Sequence, residues 1–158
     1  MAGSNLIPAI QLSLRAGVAA GLAIIVARLF QLQHPLYAMI SAVIVTDLVA
    51  EQTRKLALPR LAGTLLGSSL GALISTLLPP GVWATAFGIF AAMFASHLLY
   101  LQDAAKVAGY VCGIVLLDHT DSSWSYALFC MIETALGIGA AICVSIVPKL
   151  IKPKRPAE

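Results

Sequence analysis

Six apolar runs, at approximately 7–30, 35–50, 61–78, 82–100, 105–118 and 124–147, fill almost the whole chain, with only short polar links between them. A chain written this way has few folds open to it. Soluble domains carry about 45–50% apolar and about 25% charged residues; here the shares are 59% and 11%, and the mean hydropathy is +0.92. Crossing a bilayer takes about 20 mostly apolar residues. The first, third, fourth and sixth runs meet that length. The second and fifth are short, so their polar flanks are expected at the headgroups or lining a cavity. The expected fold is an all-α, polytopic membrane domain of six transmembrane helices occupying residues 1–158, with four crossings plus re-entrant segments as the alternative.

The first run has no basic segment ahead of it, carries Arg15 inside, and is too long for the apolar core of a cleaved signal, so it reads as a retained helix. Lys and Arg then set the orientation. With the N-terminus cytoplasmic, the cytoplasmic links hold Arg54, Lys55, Arg60 and Lys106, and the short basic tail 148–158 holds Lys149, Lys152, Lys154 and Arg155. The links on the other side, "QLQH", "PPG" and "DHTDSS", hold none. Both termini are therefore expected inside, in the inner (plasma) membrane. The net charge of +3 is a topology signal and gives no reason to expect nucleic acid as a partner.

Within the third run Gly63, Gly67 and Gly71 recur every fourth residue. In a soluble helix each costs about 1 kcal/mol relative to Ala, but in lipid small residues at this spacing let helix backbones approach closely. Arg60 shares their face. Cys130, Glu133, Gly137 and Ala141 form the matching face of the sixth run, and Gly17 with Gly21 and Gly109 with Gly113 add further pairs. Helix packing, more than ligand contact, is the role expected of these glycines.

Sliding the sequence along itself by about 70 residues produces an echo. Gly17 falls on Gly88, Asp47 on Asp118, "TLLG" from Thr64 on "TALG" from Thr134, and Pro79 on Pro148. Three helices repeated once must cross in the opposite sense the second time, so halves of about 7–79 and 82–148 are expected to form a 3+3 inverted repeat, as in many transporters.

Ionisable residues inside spans cost about 2.5–3.5 kcal/mol on insertion scales and usually face the bundle interior or a water-filled path. Arg15, Asp47 and Glu133 are the candidates, either as a structural ion pair or as an anion-attracting arginine beside a carboxylate that changes protonation. Gln11 lies one turn before Arg15, while Asp118 and His97, near helix ends, are secondary candidates. Arg28 is expected to snorkel to the headgroups. Trp83, Trp124, Tyr37 and Tyr126 fall where an aromatic belt belongs. Cys112, Cys130 and Cys143 each sit alone in apolar segments and read as small buried side chains. His119 between Asp118 and Asp121 has no specific ligand spacing, so no metal is expected. No nucleophile–base pair, phosphate loop or cofactor fingerprint is present, so neither enzyme activity nor a cofactor is expected.

The runs "HPLYAMISAVIVTD", "TRKLALPRLAGTLLGSSLGAL" and "ETALGIGAAICVSIVP" resemble the fusaric acid resistance (FUSC) and aromatic acid exporter superfamily, from about Pro35 to Pro148. The resemblance implies six-helix membrane units that move organic anions, notably aromatic carboxylates, out of the cell; plant aluminium-activated malate transporters are distantly similar and conduct anions as channels. Many members carry two such units and cytoplasmic domains, so a single unit implies a homo-oligomer, a dimer before a trimer. In that reading Arg15 binds or attracts the carboxylate, Arg60 assists at the cytoplasmic mouth, and Asp47 and Glu133 tune or couple the movement. The alternative is a non-transporting membrane subunit that assembles a partner complex through its glycine-rich faces.

Overall fold

A computed structural model describes residues 6–32, 35–117 and 123–146. The helices are α1 (Leu6–Leu29), α2 (Leu36–Val45), α3 (Ala50–Leu77), α4 (Val82–Leu98), α5 (Ala105–Leu117) and α6 (Ser123–Ile146), with a 3-10 turn at Gln102–Ala104 leading into α5. No strand occurs among the described residues. The fold is an all-helical, multi-pass membrane architecture.

Two boundaries differ from the apolar pattern, and both matter for the site. α2 stops at Val45, where Thr46 turns extended (φ −67°, ψ 124°) and its hydroxyl donates to the Ala42 carbonyl at 2.6 Å. α3 begins at Ala50 instead of 61, because the polar stretch "AEQTRK" is helical too. Glu51 and Lys55 pair along its exposed face at 2.9 Å, the favourable i,i+4 order. Asp47 fastens the link between the two helices: its Oδ1 accepts from the Val49 amide at 3.0 Å, and its own amide donates to Thr53 Oγ1 at 3.1 Å. Pro59 lies inside α3 and withdraws one helical N–H, yet the helix continues past it.

Helices α1, α3 and α6 are long and apolar enough to cross a membrane. The fourth run, expected to span comfortably, yields 17 helical residues in α4, about 25 Å at 1.5 Å per residue. The chain turns off there, with Tyr100 in the left-handed region at φ 58°. α2 and α5 have 10 and 13 residues, hence roughly 15 and 20 Å. Two short helices thus sit among longer ones.

Packing distinguishes the two ends of the bundle. At one, Val45, Ala57, Ile138 and Ala141 form an apolar layer from α2, α3 and α6. α1 begins there, since Arg15 reaches Leu48, and α6 ends there; it is called the near end below. At the far end, Tyr37, Val111, Val115, Tyr126 and Cys130 cluster from α2, α5 and α6. α3 packs on α4, α5 and α6; α6 packs on α1, α2 and α3; α1 packs on α2, and α4 on α5.

Close helix–helix contact explains most of the described glycines. Gly67 lies directly over the Ala108 backbone, Gly137 over the Ala38 carbonyl, and Gly63 against Val107. A Cβ at Gly71 would stand 2.9 Å from Val115 Cβ, and one at Gly109 2.9 Å from Met93 Cγ. Gly113 is less tight, at 3.2 Å from Ile89. The expectation fails for α1: nothing lies within 4 Å of where a Cβ would stand on Gly17 or Gly21. That helix turns these glycines away from the bundle, while its alanines Ala19, Ala23 and Ala27 face α2 and α6.

Candidate functional site

Because α3 starts at Ala50, Arg60 lies about 15 Å along the helix from that start. It belongs to the bundle interior, not to a cytoplasmic link. Its exposure is 2%. The Nε–H donates to Ser41 Oγ of α2 at 3.2 Å, and the guanidinium carbon stands 5.1 Å from the centre of the Tyr110 ring of α5. Both contacts come from the two short helices. Such a ring face attracts a cation.

The other side of the guanidinium is what makes the site. Nη1 and Nη2 are buried and have no hydrogen-bond partner among the described residues. No carboxylate of the described residues forms an ion pair with Arg60; Glu51 and Lys55, which do pair, are exposed. Buried charges are normally paired, because stripping water from an ion is costly. Arginine presents its donors as a rigid planar fork that matches a carboxylate in bidentate fashion. The arrangement supplies the protein half of such a pair.

Glu133 of α6 is also in the interior, with 0% exposure. One turn before it, Cys130 is buried and within electrostatic reach of both Glu133 and Arg60. The structure therefore buries both Arg60 and Glu133 in the bundle interior. Arg15 and Asp47 it does not bring there. Arg15 is half-buried at the near end, where its Nη1 donates to the Leu48 carbonyl at 3.2 Å. Asp47 lies beyond the end of α2, fastening the link, and is not inside a span. Gln11 is half-buried one turn before Arg15, and His97 is exposed in the last turn of α4, so neither joins the group. Asp118, like His34, His119 and Asp121, lies outside the described residues.

The aromatic belt also needs correcting. Trp83 and Trp124 are exposed, at 88% and 55%, as belt residues are. Tyr37 and Tyr126 are instead buried, and their hydroxyls meet at 2.6 Å with the rings edge to face, centres 6.1 Å apart at 80°. Tyr37 lies within electrostatic reach of Arg60. Position near a helix end had suggested the membrane surface for all four. Only which face of the helix each occupies separates them.

Ser41, Tyr110, Tyr37 and Tyr126 were not singled out as site residues from the sequence. The usable signal was the shortness of the second and fifth runs: paired short segments in corresponding halves point to a midplane site in transporter folds. Comparison with curated proteins and with solved structures gives no match. A family profile described as "Fusaric acid resistance protein-like" matches residues 22–146. That span takes in α2 to α6 and the last third of α1, and with them every residue named around Arg60. The chain belongs to the fusaric acid resistance protein-like family.

Proposed function

We propose that this membrane transporter exports small organic anions, aromatic carboxylates foremost, through the bundle interior at Arg60, with no enzymatic step. The observation that carries the reading is the buried guanidinium whose two terminal nitrogens have no hydrogen-bond partner among the described residues. A carboxylate seated on that fork makes two charge-assisted bonds and neutralises the charge. Tyr110 behind the guanidinium keeps it in place. Arg60 thus takes the binding role first expected of Arg15. Arg15, beside the α2–α3 link, attracts anions at the near end, and Glu133 tunes the field in which the anion sits. Asp47 keeps a structural role.

Several features favour the inverted repeat. Exchanging α1, α2, α3 for α4, α5, α6 turns α3–α5 packing into α6–α2, α1–α2 into α4–α5, and α1–α6 into α4–α3, all of which occur. Gly67 over Ala108 and Gly137 over Ala38 are likewise counterparts, 70 residues apart. Moving Arg60 into the interior leaves Arg54, Lys55 and Lys106 on the near side, so the positive-inside argument keeps that side cytoplasmic. An inside-negative potential then drives a monoanion outward with about 2.3 kcal/mol per 100 mV. The glycines that α1 turns outward suit contact with a second copy, in line with a homo-oligomer.

The test is flux of radiolabelled benzoate in liposomes containing only this protein, under an imposed potential. Uptake into the positive compartment is expected, and Arg60→Gln should reduce it at least about tenfold, the loss of one charged hydrogen bond or more. A well-folded parent that passes no carboxylate would favour the non-transporting subunit.

A further inference from the structure

On α2, Tyr37 and Ser41 stand one turn apart on one face; on α6, Tyr126 and Cys130 do the same. These two faces are joined to the site and to each other at different heights. Ser41 holds the Arg60 Nε at 3.2 Å. Nearer the far end, in the opening turns of α2 and α6, the Tyr37 and Tyr126 hydroxyls meet at 2.6 Å. The two rings therefore cover the Arg60 region from the far end. The near end is closed differently, by the apolar layer of Val45, Ala57, Ile138 and Ala141.

The chemistry of the two closures differs as well. An apolar layer offers nothing to a carboxylate. A tyrosine pair offers two hydroxyls, joined here by a neutral bond in which either oxygen can be the donor. Hydrogen bonds to an ionised acceptor are roughly twice as strong as neutral ones. An anion arriving from Arg60 offers each hydroxyl a charged acceptor, stronger than a neutral hydroxyl oxygen. The short α2, bearing both Tyr37 and Ser41, connects this exchange to the guanidinium.

We infer that Tyr37 and Tyr126 form the outward exit of the anion path, sealed here by their hydroxyl–hydroxyl bond and opened when a carboxylate replaces that bond with two of its own. No covalent step is involved. The inference rests on the proposed transport at Arg60, and its test separates the two.

Cys130, buried one turn inward of Tyr126, is a built-in reporter. With Cys112→Ala and Cys143→Ala leaving it as the sole thiol, its labelling by a small impermeant thiol reagent is followed in intact cells, the reagent applied outside. Labelling should be slow. Tyr126→Phe, and separately Tyr37→Phe, should each raise the rate about fivefold without any ligand, the net worth of one hydrogen bond. Benzoate should raise the rate in the parent, and neutral benzamide should not. Unchanged labelling in both Phe variants, each of parental melting temperature, overturns the exit. So does an unchanged rate with benzoate when benzoate still raises the melting temperature of the purified parent. If benzoate gives no such thermal shift, the reading of Arg60 fails instead, and the Phe variants alone decide the exit.

Discussion

At the scale of the residue, Arg60 sets the problem. A buried guanidinium without a carboxylate of the described residues within 4 Å is a poor way to stabilise a fold, and exchanging buried ionic groups for apolar ones is often neutral or stabilising. Arg60→Met should therefore unfold at or above the parental temperature in detergent while losing the thermal shift given by benzoate. A melting temperature well below the parent's would make Arg60 a structural residue. Arg60→Lys keeps the charge but loses the Nε bond to Ser41 and the planar fork, so benzoate affinity by calorimetry should fall at least about tenfold. The sequence made Arg60 and Glu133 conspicuous and placed Glu133 correctly in a helix interior. It misplaced Arg60, because "EQTRK" ahead of Pro59 has the composition of a link; the pairing of Glu51 with Lys55 shows why that stretch is helix instead. Asp47 was misplaced for the converse reason. The second run stays apolar up to it, and only the bonds that Asp47 makes to Val49 and Thr53 reveal a turn.

At the scale of the element, glycine spacing was legible and glycine neighbours were not. A four-residue period defines a face, but the face of α3 meets α5 and the glycines of α1 meet none of the described residues. Leu at Gly67 would have to displace the Ala108 backbone, and overpacking of this kind typically costs about 1–3 kcal/mol. Leu at Gly17 enters open space and should stay within about 0.5 kcal/mol. Thermal unfolding in detergent measures both, and equal melting temperatures would contradict the packing described. Helix length followed apolar run length for α1 and α6. It diverged in α2 and α3, where a threonine-capped stop and a polar but helical opening are invisible to hydropathy. These two departures put Ser41 and Arg60 at one height, so the least legible boundaries are the ones that build the site.

At the scale of the whole molecule, six helices in alternating directions give the bundle a near end with the basic links and a far end with the tyrosine seal. Pro80 and Gln102 are exposed and flank α4 on opposite ends. Cysteines introduced there, in a background lacking Cys112, Cys130 and Cys143, should label from opposite sides of the membrane, Pro80→Cys from outside and Gln102→Cys only after permeabilisation. Labelling of both from outside would overturn the crossing of α4 and the repeat with it. The central claim, that the anion is held at Arg60 in the interior and not at Arg15 near the entrance, is tested most directly by saturation binding of radiolabelled benzoate to the purified protein. Arg15→Gln should leave saturable binding within about threefold of the parent, as expected for removal of an electrostatic attraction at a half-buried position, and Arg60→Gln, with its melting temperature retained, should abolish it. Saturable binding that survives Arg60→Gln and disappears in Arg15→Gln would contradict the account.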